Sequence, residues 1–263
     1  MTARLRHLLR GIRRSQSGSM PPRPPRIPLS LRHLQALFIQ LQVTRSPGDA
    51  ACLRAALCLG FFGLLRVSEF TCPSATFYNP SVHLGLQDIS FSTRPDLIHV
   101  RIKTSKTDPF SVGHTIRVAR TRNYFCPFDV LMAFLLVRPR RPGPLFMLSD
   151  GSFLTRIDIH SLLRQTFPLV DPVTIGTHSL RIGGASMLCS LGVPDATIQI
   201  LGRWSSDAFR RYLRISDQSI ARIHASASGH HFTVSSQWSP FTRFSAPTVD
   251  SVRAGRATSD DDV

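Results

Sequence analysis

The chain has 263 residues, 42% of them hydrophobic, which is enough to bury one substantial core and excludes a fully disordered protein. Its formal net charge of +16 favours a polyanionic partner, either nucleic acid or an anionic membrane surface. The longest apolar run, Ala55 to Leu65, is too short to span a bilayer, so we expect no membrane insertion. Five cysteines without a Cys-x-x-Cys pair argue against a disulfide framework or a zinc site and favour reduced thiols in an intracellular protein.

The first 29 residues form a basic, proline-rich segment without Asp or Glu. The run from Met20 to Pro28 cannot be helical through its prolines, so it is predicted to be a linker. Upstream of it, Leu5 to Ile12 has the apolar spacing of a helix. This part is either the last helix of an upstream domain or a disordered basic arm.

The body of the chain begins with two predicted helices. Ser30 can cap a helix from Leu31 to Gln42, and a longer helix with a nearly all-apolar centre covers about Asp49 to Phe70. Three short segments that are β-branched or alternate in polarity predict an antiparallel sheet: Leu86 to Phe91, Leu97 to Lys103 and His114 to Val118.

From Pro127 onward the pattern is helical, apart from a short strand predicted at Leu145 to Met147. The helices are predicted over Phe128 to Val137, Thr155 to Thr166, His178 to Leu191, Asp195 to Leu201, Ser206 to Ile215 and Asp217 to Ala227. Residues 229–263 are rich in Ser, Thr and Arg and predict a disordered tail. The predicted fold class is mainly α with a small antiparallel β-sheet, an α+β domain over residues 30–228.

Two basic positions could hold a phosphate. Arg66 follows the apolar helix, and Glu69 lies on the same helical face, so Arg66 is either a fixed phosphate ligand or a structural partner of Glu69. His178 and Arg181 have i, i+3 spacing behind Thr177, a fair helix cap, so both could reach one phosphate near a helix start. The following pair, Gly183-Gly184, allows another backbone to pack closely.

Three further residues could complete a site for breaking a phosphodiester. Trp204 and Tyr212, taken alone, are packing residues, although a phenol among arginines can act as a nucleophile. Only two of the 32 Lys and Arg residues are lysines, Lys103 and Lys106, and they fall in one hairpin where a proton donor would be useful.

The order of these motifs along the chain is more specific than any one of them. Leu64-Leu65-Arg66-Val67-Ser68-Glu69, the Lys106 hairpin, His178-Ser179-Leu180-Arg181, Leu201-Gly202-Arg203-Trp204 and Tyr212 together resemble the catalytic domain of the tyrosine recombinases, also called phage integrases. The run Gly202-Arg203-Trp204-Ser205-Ser206-Asp207 further resembles recombinases of eukaryotic mobile elements of the DIRS and Crypton type.

The resemblance implies a role for each residue. Tyr212 would attack the scissile phosphate to give a 3′-phosphotyrosyl link, Arg66 and Arg181 would clamp the non-bridging oxygens, and His178 would assist proton transfer. Trp204 would take the family's His or Trp position. Lys106 would be the general acid, with Lys103 the competing choice, and Lys103 and Arg203 would contact DNA. No metal and no cofactor are expected.

The resemblance also implies double-stranded DNA as partner, a homo-oligomer assembled on it, and a nuclear location. Two departures matter: Trp204 and Tyr212 are eight positions apart, one fewer than in many bacterial relatives, and only residues 1 to about 20 could belong to the family's N-terminal clamping domain. We therefore expect either a DNA strand-exchange enzyme, which would be a recombinase or integrase, or a truncated copy that encodes its catalytic domain. A catalytically silent DNA-binding remnant and a type IB topoisomerase-like enzyme are the alternatives.

Overall fold

Seven helices and one three-stranded sheet make up the part of the chain that a computed structural model describes, which comprises Gly11 and residues 24–94, 96–105, 108, 110, 112–206 and 209–210. The helices are α1 Leu31–Thr44, α2 Pro47–Phe62, α3 Val67–Phe70, α4 Pro127–Val137, α5 Arg156–Thr166, α6 His178–Ser190 and α7 Asp195–Gly202. The strands are β1 Ile89–Thr93, β2 Asp96–Ile102 and β3 His114–Ala119. This confirms the predicted fold class.

Helix α2 is the centre of the core. It begins at Ser46, whose hydroxyl accepts a hydrogen bond from the Asp49 backbone N–H at 3.2 Å, with Pro47 at the first helical position. Ten of its 16 residues are buried, so it is covered on most of its sides, as its apolar sequence predicts. Helices α1, α4 and α6 pack against it.

The prediction of one helix from Asp49 to Phe70 is wrong, because α2 ends at Phe62. Gly63 is its C-cap, and Leu64 follows in the left-handed region with a φ of 49°. The Leu65 N–H still reaches back to the Gly60 carbonyl at 2.9 Å, so the chain turns tightly before it resumes as α3. Because the residues of the turn are apolar like those of the helix, the hydrophobic pattern of the sequence does not reveal where α2 ends.

The sheet has the order β1-β2-β3, and both pairings are antiparallel, with Ile89 opposite Val100 and Val100 opposite Ile116. The residues before β1, Leu86–Asp88, form a 3-10 turn and not the start of a strand as predicted. The predicted strand at Leu145 to Met147 is also wrong: these residues form no named strand, and Met147 makes only an isolated bridge to Phe153.

The glycine pair of α6 has the packing role predicted for it. A Cβ on Gly183 would overlap the Leu29 carbonyl oxygen, and one on Gly184 would overlap the Phe61 carbonyl oxygen. Two other backbone segments therefore approach α6 more closely than any side chain would permit. This confirms that the pair is structural, and it fixes α6 against both the linker and the end of α2.

All five cysteines are free thiols, and Cys52, Cys58, Cys72 and Cys126 are buried. Burial raises the pKa of Cys58 to about 12, so this thiol is uncharged at neutral pH. None of the helices described is long and apolar enough to cross a membrane.

Candidate active site

Arg66 gains a fixed position from the break between α2 and α3. It is the N-cap of α3, and Glu69 at the third helical position accepts hydrogen bonds from the Arg66 backbone N–H and from its Nη1, each at 2.9 Å. The Glu69 side chain is 1% exposed, whereas that of Arg66 is 18% exposed. The pair predicted from spacing is therefore present, and the guanidinium still reaches solvent.

Glu69 also binds a second arginine. Arg203 is the C-cap of α7 with a φ of 55°, and its Nη2 donates to Glu69 Oε2 at 2.7 Å. Burial lowers the pKa of Arg203, the Glu69 carboxylate opposes that shift, and Arg66 adds to it. One buried carboxylate thus holds two guanidiniums. The prediction that Arg203 binds DNA stays a prediction, and here its guanidinium turns toward protein acceptors.

Arg181 lies deeper in the same centre. It is 1% exposed, and it donates from Nη1 to the Leu64 carbonyl at 2.9 Å and from Nη2 to the Gly202 carbonyl. Both carbonyls belong to segments that also position Arg66 and Arg203. The carbonyls of the turn after α2 therefore bind two arginines, Arg181 and Arg203, because they are acceptors that a continuous helix would use internally.

The Trp204 indole covers Arg181. The guanidinium lies 4.4 Å from the centroid of the indole ring, and the ring stacks on Phe209 at 5.6 Å between centroids. A Cβ on Gly202 would overlap the indole, so glycine is required for this arrangement. Trp204 reaches the cluster as its motif predicts, and it does so as a packing surface for Arg181.

His178 is the first residue of α6, one turn before Arg181. Its pKa is lowered to about 4, first by burial and then by the positive charges of Arg181, Arg26 and Arg66. The imidazole is therefore neutral at pH 7 and can accept a proton. Thr177 occupies the N-cap position as predicted, but its side chain makes no capping hydrogen bond.

Arg26 is the residue at this centre that sequence reasoning missed. It lies in the proline-rich linker, where nothing in the local pattern distinguishes it from Arg23. A Cβ on Gly176 would lie 2.6 Å from Arg26 Nη1, so this guanidinium lies over the residue two positions before His178.

Of the two lysines near the hairpin, Lys103 is bonded within the protein. Lys103 Nζ donates to Asp88 Oδ2 at 2.6 Å, to the Pro80 carbonyl at 2.5 Å and to the His83 carbonyl at 3.0 Å. These bonds use its three protons within the protein. Its DNA contact stays a prediction. Lys106 and the predicted nucleophile Tyr212 lie outside the described residues, as do most of the helices predicted from Ser206 onward.

The start of the hairpin lies beside α3. Thr104 and Ser105, the two residues before Lys106, line a cavity of about 550 Å³ together with Ser68 and Thr71. Ser68 belongs to α3, so Thr104 and Ser105 lie beside the helix whose N-cap is Arg66. The cavity is open and rich in hydroxyl groups.

The centre as a whole has an excess of positive charge. Glu69 pairs with Arg66 and Arg203, and the charges of Arg181, Arg26 and Arg66 act together on His178, so among the described residues cations outnumber carboxylates here. Within the described ranges no group of three or more His, Cys, Asp or Glu side chains could hold a metal ion. Such a centre suits a ligand with several anionic oxygens, for which the planar guanidinium fork is well matched.

No protein-family model matches the chain, and no curated protein matches it. Solved structures share its fold. XerH site-specific recombinase bound to palindromic difH substrate in a post-cleavage complex matches with a TM-score of 0.53 and 17% identity, over 76% of this chain and 52% of that one. XerA recombinase matches with a TM-score of 0.54 and 14% identity, over 78% and 66%.

A third match is a lambda integrase dimer bound to a COC′ core site, with a TM-score of 0.51 and 13% identity, over 74% of this chain and 49% of that one. The present chain therefore spans about half the length of the XerH and lambda integrase chains. Identities this low show a common fold. The chain has the fold of the tyrosine recombinase catalytic domain, as the order of its motifs predicted.

Proposed function

We propose that this chain breaks and rejoins DNA strands through a 3′-phosphotyrosyl intermediate, as the catalytic part of a recombinase or integrase. One observation carries the proposal: Arg66, Arg181 and a neutral His178 belong to one centre, within a fold shared with a recombinase bound to its difH substrate and an integrase bound to a core site. Convergent cations around a neutral base are what transfer of a phosphoryl group requires.

The arginines would stabilise the charge that develops on the non-bridging oxygens. Arg66 is ready for this role, because part of its guanidinium is exposed while Glu69 fixes its position. Arg181 is covered by the Trp204 indole and bonded to two carbonyls. Because Arg181 is 1% exposed, the proposed chemistry requires a local change that lets its guanidinium reach the phosphate when DNA binds.

The proposed step is a transesterification. The Tyr212 oxygen forms a bond to phosphorus while the bond from phosphorus to the 5′-oxygen breaks. The phenolic proton passes to neutral His178, and Lys106 gives a proton to the leaving 5′-oxygen. Rejoining is the reverse step, with a 5′-hydroxyl as the nucleophile. The phosphodiester energy stays in the phosphotyrosyl link, so no nucleotide cofactor is needed.

The finer identity is also a proposal. We infer double-stranded DNA as substrate and a homo-oligomer on that DNA. This view is supported by the fold shared with an integrase dimer bound to a COC′ core site and with a transposon integrase in complex with transposon right end DNA. The motif from Gly202 to Asp207 supports an origin in DIRS-type or Crypton-type mobile elements, and with it a nuclear location. Residues 30–228 would be the catalytic domain, and residues 1–29 an arm and linker.

The second candidate is a catalytically silent DNA-binding remnant. It is favoured by one observation, which is that Arg181 and Arg203 already bond to protein acceptors and can maintain the fold without any phosphate. A remnant would bind duplex DNA and form no covalent link to it.

Trapping of the covalent intermediate separates the two candidates. A pool of randomised duplexes, each carrying a nick near its centre, loses the short strand after cleavage and so leaves the protein attached. We expect a denaturant-resistant adduct with the wild type and with Tyr124→Phe, an exposed control tyrosine. Tyr212→Phe should bind DNA and form no adduct.

An adduct that persists in Tyr212→Phe would refute the assignment of the nucleophile. DNA binding by the wild type without any adduct would favour the remnant. Transfer of the trapped strand to a second duplex, tested in the same assay, separates a recombinase from a topoisomerase-like enzyme, which only reseals its own strand.

A further inference from the structure

The linker before α1 is bound to the start of α6. The Ile27 N–H donates to the Thr174 carbonyl at 2.7 Å, and the Leu29 N–H donates to the Ser179 carbonyl at 3.0 Å. Leu29 is 1% exposed, and its backbone fills the space left by Gly183. Hydrogen bonds therefore hold residues 27–29 beside Gly176 and Thr177, which lead directly into α6 at His178.

Arg26 is the next residue outward, and its side chain returns to the same loop. Its Nη1 would be only 2.6 Å from a Cβ on Gly176, so the absent side chain of Gly176 leaves the space that the guanidinium occupies. Its charge acts on His178 more strongly than that of Arg66 and less strongly than that of Arg181.

Arg26 is exposed, and within the described part of the chain no Asp or Glu forms a salt bridge with it. Glu69, the carboxylate that pairs with Arg66, is also bonded to Arg203. Arg26, Arg66 and Arg181 are like charges that act on the same imidazole, and a bound anion would stabilise all three.

We propose that Arg26 is a further phosphate-binding residue, whose guanidinium binds the same DNA phosphate as Arg66 and Arg181. The inference rests on the proposed function, since it assigns an additional ligand to that site. The proline-rich linker would then be part of the active site. Glycine at position 176 leaves the space in which the Arg26 guanidinium lies, next to the start of α6.

The test compares Arg26→Gln with Arg32→Gln. Arg32 is an exposed arginine six positions further along and serves as the matched control. Gly176→Ala is a second variant that keeps Arg26 but displaces the flexible end of its side chain. Thermal melting of each protein confirms that it is folded.

The first measurement is binding to a 20-base-pair duplex by fluorescence anisotropy across a range of salt concentrations. Loss of one phosphate contact should reduce the slope of log affinity against log salt by about 1 in Arg26→Gln and in Gly176→Ala. Arg32→Gln should keep the wild-type slope. An Arg26→Gln slope equal to that of Arg32→Gln would overturn the proposal.

The second measurement is the rate of adduct formation on a nicked duplex selected from the pool, with either a phosphate or a neutral methylphosphonate at the cleaved position. Arg26→Gln should be about tenfold slower than wild type on the phosphate, the size expected for one charge-assisted hydrogen bond. On the methylphosphonate the two proteins should agree within about twofold, because the charge that Arg26 binds is absent.

A tenfold defect that persists on the methylphosphonate would overturn the assignment to this phosphate. Arg26→Lys should recover part of the rate, because it restores a charge without the fork. A wild-type protein that neither binds the duplex nor forms an adduct would instead refute the proposed function, so the two failures are distinguishable.

Discussion

Arg138 and Arg181 are both buried arginines that donate to backbone carbonyls, yet their surroundings differ. Arg138 caps the end of α4 and donates from Nε to the Leu145 carbonyl at 2.9 Å and from Nη2 to the Pro144 carbonyl at 2.7 Å. It thereby closes the loop over residues 139–145. Burial lowers its pKa, as expected for a cation removed from water.

Around Arg181 the neighbours are themselves cationic or titratable. Arg181, Arg26 and Arg66 all depress the pKa of His178, and Arg66 depresses that of Arg203. None of the causes that shift the pKa of Arg138 is another cation. A buried arginine that only donates to carbonyls therefore has a structural role. Several cations that act on the same group, as around His178, indicate a site for an anion.

The largest difference between the two arginines is expected when each is replaced by lysine in a separate variant. Arg181→Lys should lower the rate of adduct formation about a thousandfold, because the lysine ammonium lacks the planar guanidinium fork that matches the phosphate oxygens. Arg138→Lys should lower the melting temperature and leave the rate of the folded protein within about threefold of wild type. Both rates are measured by single-turnover trapping at low temperature.

A large rate defect in folded Arg138→Lys, or a normal rate in Arg181→Lys, would erase the distinction between the two arginines. Circular dichroism before each assay shows whether the variant is folded. Lysine at either position leaves buried carbonyl acceptors unpaired, at a cost of about 1–3 kcal/mol each, so the melting curve is needed to separate stability from catalysis.

The two lysines give a second comparison within one hairpin. Lys106→Ala should slow cleavage about a hundredfold, as loss of a general acid does, and a 5′-bridging sulfur at the cleaved position should restore the rate because thiolate leaves without a proton. Lys103→Ala removes the Asp88 ion pair, so it should mainly lower stability. Equal rate defects that the sulfur does not rescue would contradict the general-acid role of Lys106.

The third prediction concerns pH and has the smallest expected effect. The folded protein lowers the pKa of His178 from 6.5 to about 4, so between these values the unfolded chain binds a proton that the folded protein does not. The free energy of unfolding should therefore fall as the pH is lowered from 7 to 5, and His178→Asn should show a shallower fall.

Urea denaturation at pH 7 and pH 5 measures this difference. His160→Asn, an exposed histidine on α5, is the control and should retain the wild-type fall. A His178→Asn variant that loses as much stability as wild type over this range would show that the half-buried imidazole is not the responsible group.

Much of this architecture is encoded locally. The apolar centre of α2, the cap at Ser30 and the polarity of β2 and β3 each predict their element, because periodicity and capping act over a few residues. The i, i+3 spacing likewise identifies Arg66 with Glu69 and His178 with Arg181. Motif order then suggests that these pairs share one centre.

The remainder depends on contacts between distant parts of the chain. Leu64 adopts a left-handed conformation, and its carbonyl accepts hydrogen bonds from Arg181 and Arg203, which lie more than a hundred positions later in the chain. The inward direction of Arg203 depends on Glu69, and the place of Arg26 depends on Gly176 and Gly183. A local sequence pattern does not identify tertiary partners, so the sequence predicts only that Arg26 belongs to a linker.

The most direct test of the central claim is to identify the residue and the DNA end that are joined in the trapped adduct. Protease digestion of the adduct followed by mass spectrometry should find Tyr212 linked to a 3′-phosphate, and the released strand should carry a free 5′-hydroxyl. A link through another residue, a link to a 5′-phosphate, or recovery of intact DNA under conditions where the protein binds it would contradict the account.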